Sequence, residues 1–257
     1  MKKIIALLMV AVMAFGFCAC GGDEDDANKL VIGYTIYEPM NYMENGELTG
    51  FDTEFAKAVC KKIGLTPEFK EINWDTKFQI LDSEQIDCIW NGMTISPDVK
   101  KNCAVSTPYV KNAQVVVMAK DALEKYPDAE SMKDLRFTAE AGSAGEAAIK
   151  DNGLNGKYKE VATQVEALTA IKAGQADACV IDITMAKTMT EKGTSYENLG
   201  YAVELTSEEY GIGFRTSDIE LNDKVNKAIE ELRADGTLDK LAKKYGLTLA
   251  DLPEEVK

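Results

Sequence analysis

Short apolar runs alternate with helix-length amphipathic stretches along most of this chain, and that alternation leaves few folds open. Residues 30–34 read as a strand. Residues 51–63 read as a helix, because Phe51, Phe55, Val59 and Ile63 recur every four residues and Gly64 can close it. Residues 68–72 form a second strand, with Trp74 directly after it, and a short helix over 76–81 leads to a third strand beginning at Cys88. Strand, helix, strand, helix, strand in this order implies a parallel sheet. Between the first strand and the first helix, residues 34–40 form a loop with two tyrosines and a proline, and Asn45-Gly46 is a turn signal.

A second set of the same kind follows. Its strands are 113–119, 136–140, 158–162 and 178–181, and its helices are 144–151, 165–173 and 183–192. Ser143 and Glu146 have capping-box spacing at the start of one helix, and Gly174 stops the next. Gln85-Ile86-Asp87-Cys88 is echoed by Gln175-Ala176-Asp177-Ala178; in both places a helix ends and a buried strand begins. The echo predicts two similar lobes, each with its own sheet. Strands at 201–205 and 211–215 come next, the second able to return to the first lobe. Helices at 221–234 and 238–245 finish the chain, with Asp235-Gly236 between them and Gly246 after them.

Composition narrows the function. A net charge of −14 argues against nucleic-acid binding, which needs a basic face. The chain has no histidine, so Ser-His-Asp and Cys-His catalytic units and histidine metal sites are excluded. Beyond the N-terminal segment the cysteines are Cys60, Cys88, Cys103 and Cys179; they fall on apolar faces, have no CxxC spacing and read as free thiols rather than as a metal or redox site. No cofactor is expected.

The N-terminus is a targeting segment. Lys2-Lys3 is followed by an apolar run over 4–17, too short for a membrane span of about 20 residues. It ends Phe17-Cys18-Ala19-Cys20-Gly21, which resembles a bacterial lipobox with Cys20 as the lipidated residue, although Phe17 stands where Leu is usual; a plain secretory signal is the alternative. Residues 1–20 are thus expected to be a lipoprotein signal and 21–28 an acidic tether, which places the mature chain outside the cytoplasm, anchored to the membrane.

The stretch 87–106 ties these parts together. Cys88 to Trp90 reads as a buried strand, Asn91-Gly92-Met93-Thr94 as a polar turn, and Ser96, Pro97 and Asp98 as the N-cap and first turn of a helix. In open α/β sheets ligands sit beyond the carboxyl ends of strands, so small polar groups here can face a ligand. Together with Asn45 to Val59, Thr107-Pro108-Tyr109, Ala141 to Glu146 and Ala228 to Gly246, this stretch resembles the extracytoplasmic solute-binding proteins of amino-acid ABC transporters, the polar amino-acid class. The resemblance covers nearly everything after the tether.

That resemblance implies an α/β protein of two Rossmann-like lobes joined by two hinge strands, the type II periplasmic-binding-protein-like fold. Lobe one would be 28–112 plus 210–257 and lobe two 113–209, with hinges near 111–114 and 209–213. It implies a small-molecule solute, an amino acid or amine, as ligand, an ABC permease as membrane partner, and a monomer. Carried onto this sequence, Asp182 would pair with the ligand ammonium, with helix capping as its plainer role. Trp74, and with it Tyr37, would stack on the ligand, while Trp90 reads as core. Asn91, Gly92 and Thr94 would hydrogen-bond the ligand, Ala144 would offer a helix N-terminal N–H, and Glu140 would bear on specificity. Two departures stand out. The family's carboxylate-clamping arginine falls at Val99, and Lys100 beside it is turned by about 100° around the helix. The acidic residue common near the first strand is replaced by Tyr34-Thr35. The ligand is therefore either an amino acid held without that arginine or an amine lacking a carboxylate. Two other classes remain on this fold: a cyclohexadienyl dehydratase-like enzyme, which would have to convert a carboxylated substrate, and a ligand-sensing module for a receptor.

Overall fold

A computed structural model describes residues 28–251. The signal segment, Cys20, the tether up to residue 27 and residues 252–257 lie outside the described residues. The chain opens with β1 (Lys29–Tyr34), a hairpin of β2 (Tyr42–Glu44) and β3 (Glu47–Thr49), helix α1 (Phe51–Ile63) and β4 (Thr66–Glu71). Then come α2 (Lys77–Asp82), β5 (Cys88–Thr94), α3 (Pro97–Asn102), β6 (Ala104–Val105) and β7 (Val110–Asn112).

Helix α1 forms where the apolar repeat predicts it. Phe51, Phe55 and Val59 are fully buried, and Gly64 ends the helix in the left-handed conformation. Its start depends on Gly50, where φ is 115° and a Cβ would stand 2.3 Å from the Met40 carbonyl oxygen, so a side chain has no room.

The second unit holds β8 (Gln114–Ala119), β9 (Phe137–Glu140), α4 (Ala144–Asp151), β10 (Lys159–Val161), α5 (Gln164–Lys172), β11 (Ala178–Asp182), α6 (Ile183–Met189) and β12 (Leu199–Glu204). The chain closes with β13 (Glu208–Phe214), α7 (Ile219–Ala234) and α8 (Thr237–Lys244). Ser96, Ser143 and Thr163 cap α3, α4 and α5, each accepting a hydrogen bond from the backbone N–H three residues on.

One sheet runs β4-β1-β5-β13-β6, with β7 also on β13; the other runs β10-β9-β11-β8-β12. In each, the first strand lies between the second and the third, all parallel, and an antiparallel strand closes on the third: β13 beside β5, β8 beside β11. This is the expected two-lobed, type II periplasmic-binding-protein-like fold. The chain passes between the sheets after β7 and returns before β13, whose Glu208 and Glu209 pair with β7. Each sheet has a topological switch point beside its first strand, between β1 and β5 and between β9 and β11.

One local expectation is corrected. Residues 91–94 are not a turn but the second half of β5, and Asn91, Gly92 and Met93 are buried. Their ladder partner is β13, distant in sequence, so local pattern could not reveal it. Gly92 keeps the turn-like trait, with φ at 56° within the strand. The four cysteines are buried and free. Burial pushes the Cys60 and Cys103 thiols up to about 12.

Candidate functional site

Both switch points open onto one cleft of about 620 Å³. The residues expected to meet a ligand all line it: Tyr37, Trp74, Asn91, Gly92 and Thr94 from the first lobe, and Glu140, Ala144 and Asp182 from the second. Strand ends bring most of them there, since Thr94 ends β5, Glu140 ends β9 and Asp182 ends β11.

Asp182 stands at the N-cap position of α6 but makes no capping bond. Its Oδ1 accepts from Asn112 Nδ2 at 2.5 Å and Gln114 Nε2 at 2.8 Å, and its Oδ2 accepts from Gln164 Nε2 at 2.6 Å. Glu208, which no motif or periodicity singles out, faces it. Glu208 Oε2 accepts from the same two amides, at 3.1 Å from Asn112 and 3.0 Å from Gln114, and from the Thr94 hydroxyl at 2.9 Å. Two carboxylates thus share two neutral donors, and neither forms a salt bridge among the described residues. Burial, then the like charge of Glu208, pushes the Asp182 carboxyl up to about 6. The arrangement attracts a cation. Asn112, Gln114, Gln164 and Glu208 carried no local signal, because each reads as an ordinary strand, hinge or helix-start residue.

Glu140 is buried, and its carboxylate makes no hydrogen bond among the described residues. Burial, and after it the charge of Asp182, pushes its carboxyl up to about 8. At neutral pH Glu140 is therefore held largely as a neutral acid. Ala144 opens α4, so its N–H belongs to the first turn, where helix donors lack an internal acceptor. Trp74 lies in a single 3₁₀ turn, Trp74–Thr76, with Asn73 capping it through Asp75 N–H.

Three predicted residues have structural duties besides. Tyr37 lends its ring to the cleft wall, but its hydroxyl hydrogen-bonds Thr184 of α6 and Tyr210 of β13. Asn91 is saturated: its Oδ1 accepts from Thr35 N and Oγ1, and its Nδ2 donates to Thr35 O and Asn41 Oδ1. The side chain is a positioning group that holds the loop after β1. Gly92 donates its N–H to Asp52 Oδ2 at 2.6 Å, and a Cβ there would lie 2.7 Å from the Tyr37 ring. Asp52 also accepts from the Tyr109 hydroxyl, and burial pushes its carboxyl up to about 7.

Val99, where the arginine would stand, lines the cleft with an apolar side chain and packs in one cluster with Trp74 and Cys103. Lys77 is the larger surprise. As a helix lysine it reads as solvent-facing, yet it is 5% exposed and lines the cleft. Its Nζ donates to Trp74 O at 3.2 Å and to Gly142 O of the other lobe at 2.8 Å. Among the described residues no group of three or more carboxylates or cysteines is placed to hold a metal.

Known proteins place the chain in a family. The bacterial extracellular solute-binding proteins, family 3, match residues 30–248. The arginine-binding extracellular protein ArtP of Bacillus subtilis (strain 168) is 33% identical over 258 residues, covering 95% of this chain and 98% of that protein. An ancestral arginine-binding protein bound to arginine aligns with a TM-score of 0.78 at 34% identity, over 85% of this chain and 98% of that one. The ancestral amino-acid-binding protein AncCDT-1, described as a precursor of cyclohexadienyl dehydratase, gives 0.79 at 30% identity, over 86% and 96%.

Proposed function

Since the chain belongs to the bacterial extracellular solute-binding proteins, family 3, we propose that it captures an amino acid, or a closely related amine-bearing solute, in the cleft between its lobes and hands it to the membrane subunits of an ABC importer. It works outside the cytoplasm as a binding protein, not an enzyme. Cys20 carries the lipid that holds it to the membrane, and the protein acts as a monomer. Lobe one comprises residues 28–112 and 210–257 and lobe two residues 113–209; they close on the solute about the two crossings, the ligand favouring the closed state.

The observation that carries this reading is the Asp182–Glu208 pair, bridged by Asn112 and Gln114 with no salt bridge of its own among the described residues. It is a seat for an ammonium group. Trp74 and Tyr37 supply the flat walls around the ligand. Thr94, the backbone at Asn91 and Gly92, and the Ala144 N–H supply polar contacts, and Glu140 adds an acid that a cationic side chain would ionise.

Thermal melts of the protein lacking residues 1–22, against the standard amino acids and polyamines, test it. A ligand at about 100 times its dissociation constant stabilises the fold by about 2.7 kcal/mol. An amino acid is expected to raise the melting temperature in the wild type and to have no effect on Asp182→Ala. Failure of every amino acid and amine, or turnover of prephenate, would overturn the reading.

A further inference from the structure

We propose that Lys77 reads the ligand's acid group, in the place that Val99 leaves empty of charge. The proposal rests on the amino-acid reading above and names the residue that makes it specific. Lys77 is a buried cation without an anion: its Nζ hydrogen-bonds only the carbonyl oxygens of Trp74 and Gly142, and no carboxylate lies within salt-bridge distance of it among the described residues. An ammonium has three donors, so one is left. The other lysine on the cleft wall, Lys150, is half exposed and already paired with Glu146 at 2.7 Å.

A desolvated charge at a ligand cleft, without a counter-ion in the protein, is a charge that awaits one. Glu140 is the carboxyl that acts most strongly on Lys77. Burial holds that group largely protonated at neutral pH, so it is a poor counter-ion.

Placement supports the same assignment. Gly142, which accepts from Lys77, is two residues before Ala144, so the ammonium and the first N–H groups of α4 stand at one edge of the cleft. The rings of Trp74 and Phe78 flank Nζ at 4.9 and 4.8 Å from their centroids and limit its swing. The carboxylate pair of Asp182 and Glu208 is a separate group of the same cleft, without a lysine in its hydrogen bonding. A ligand carrying both an ammonium and a carboxylate answers both groups, whereas a simple amine leaves Lys77 unanswered. A lysine is a point charge without the arginine fork, so it supplies attraction with less geometric selection.

The competing role for Lys77 is a latch between the lobes, through Gly142 alone. Calorimetric titrations with matched pairs separate the two: L-arginine against agmatine, L-lysine against cadaverine and L-histidine against histamine. The wild type should bind the acid of a pair at least about tenfold more tightly than the amine. Lys77→Met should lose about 10- to 100-fold for the acid and less than about threefold for the amine. Lys77→Gln, which keeps an N–H donor for Gly142 but no charge, should behave like Lys77→Met and guards against a folding defect in the latter. Adding Val99→Arg to either variant should restore preference for the acid. Equal losses for acid and amine in both variants, or full acid affinity in Lys77→Gln, would make the residue a latch and overturn the proposal. Wild-type affinity for the amines equal to that for the acids would overturn it too, while leaving solute capture intact. If no member of any pair binds, the amino-acid reading falls and this proposal with it.

Discussion

The two lobes repeat one design and differ in who completes it. In the first, Asp87 Oδ2 accepts from Val31 N–H at 2.8 Å while its own N–H donates to Val31 O at 2.7 Å. In the second, Asp177 does the same to Arg136, at 2.9 Å each way. Both aspartates thereby pin their lobe's first strand to the start of its third. The difference is the arginine. Arg136 is the pinned residue itself, and its ion pair with Asp177 is exposed, at 48% and 37%. Arg215 arrives from the end of β13, is only 17% exposed, and also donates to Leu81 O and Ile86 O. One lobe is therefore closed by its own local residues, the other by a strand that has crossed the molecule and returned. The site follows the same asymmetry: the second lobe brings Asp182 and Glu140, the first brings the rings and Lys77, and Glu208 comes from the crossing where β13 begins. A shared topology need not mean shared chemistry.

The contrast can be broken most forcefully at the site. Asp182→Ala should weaken binding of an amino-acid ligand by at least about 100-fold, because a charge-assisted bond to the ammonium is lost, while the fold loses about 1 kcal/mol because the Gln164 amide is stripped of its acceptor; calorimetry and urea melts read the two effects. A loss below tenfold would mean that Glu208 alone seats the ammonium. The clamps come next. Asp87→Ala should destabilise by about 2 kcal/mol, since it strips the Val31 N–H of its acceptor and removes one of the two carboxylates paired with the largely buried Arg215, which keeps Asp218. Asp177→Ala should cost only about 1 kcal/mol, because its pair is screened by water. Equal urea midpoints for the two variants would erase the distinction between a self-contained and a returning lobe.

Acidity gives a smaller, graded effect. Asp52, Asp182 and Glu140 have folded pKa values raised to about 7, 6 and 8. Each therefore holds its proton more firmly folded than unfolded, and stability falls as pH rises from the unfolded value toward the folded one. The ligand-free protein should lose about 2 kcal/mol between pH 5 and 7 through Asp52 alone, and Asp52→Asn should flatten that part of the profile. Ligand affinity runs the other way, weakening below about pH 6 as Asp182 takes a proton. The least effect is expected at the thiols. Cys60, Cys88 and Cys103 lie with the first sheet and Cys179 with the second, all buried. A thiol reagent should label none of them in the native state, and their order of labelling in rising urea should report which lobe opens first.

Much of this was legible because it is local. The four-residue repeat of α1, the Ser96 and Ser143 caps and the Gln-x-Asp echo each announce themselves within a few residues, and the clamp is the physical content of that echo. What escaped is what depends on a partner far along the chain. Residues 91–94 look like a turn until β13 supplies their ladder. Asn91 looks like a ligand contact until Thr35 and Asn41 fill its hydrogen bonds. Lys77 looks like a solvent-facing lysine until Gly142 of the other lobe closes over it. Asp52 became intelligible only with Gly92, whose N–H it receives. Glu208 lies at a lobe crossing, where neither periodicity nor motif singles out a side chain.

The hydroxyls of Tyr37, Thr184 and Tyr210 contact one another, with Thr184 2.9 Å from Tyr210, and Tyr210 also hydrogen-bonds Asp182. The set joins the loop after β1, the start of α6 and the returning strand. Parting the lobes must break Tyr37 from Thr184, whatever solute is inside. How long a solute is held is thus governed in part by Thr184, which does not line the cleft, so residence time and selectivity can drift apart under mutation there. Thr184→Val should shorten retention in stopped-flow release while leaving the ranking of ligands unchanged.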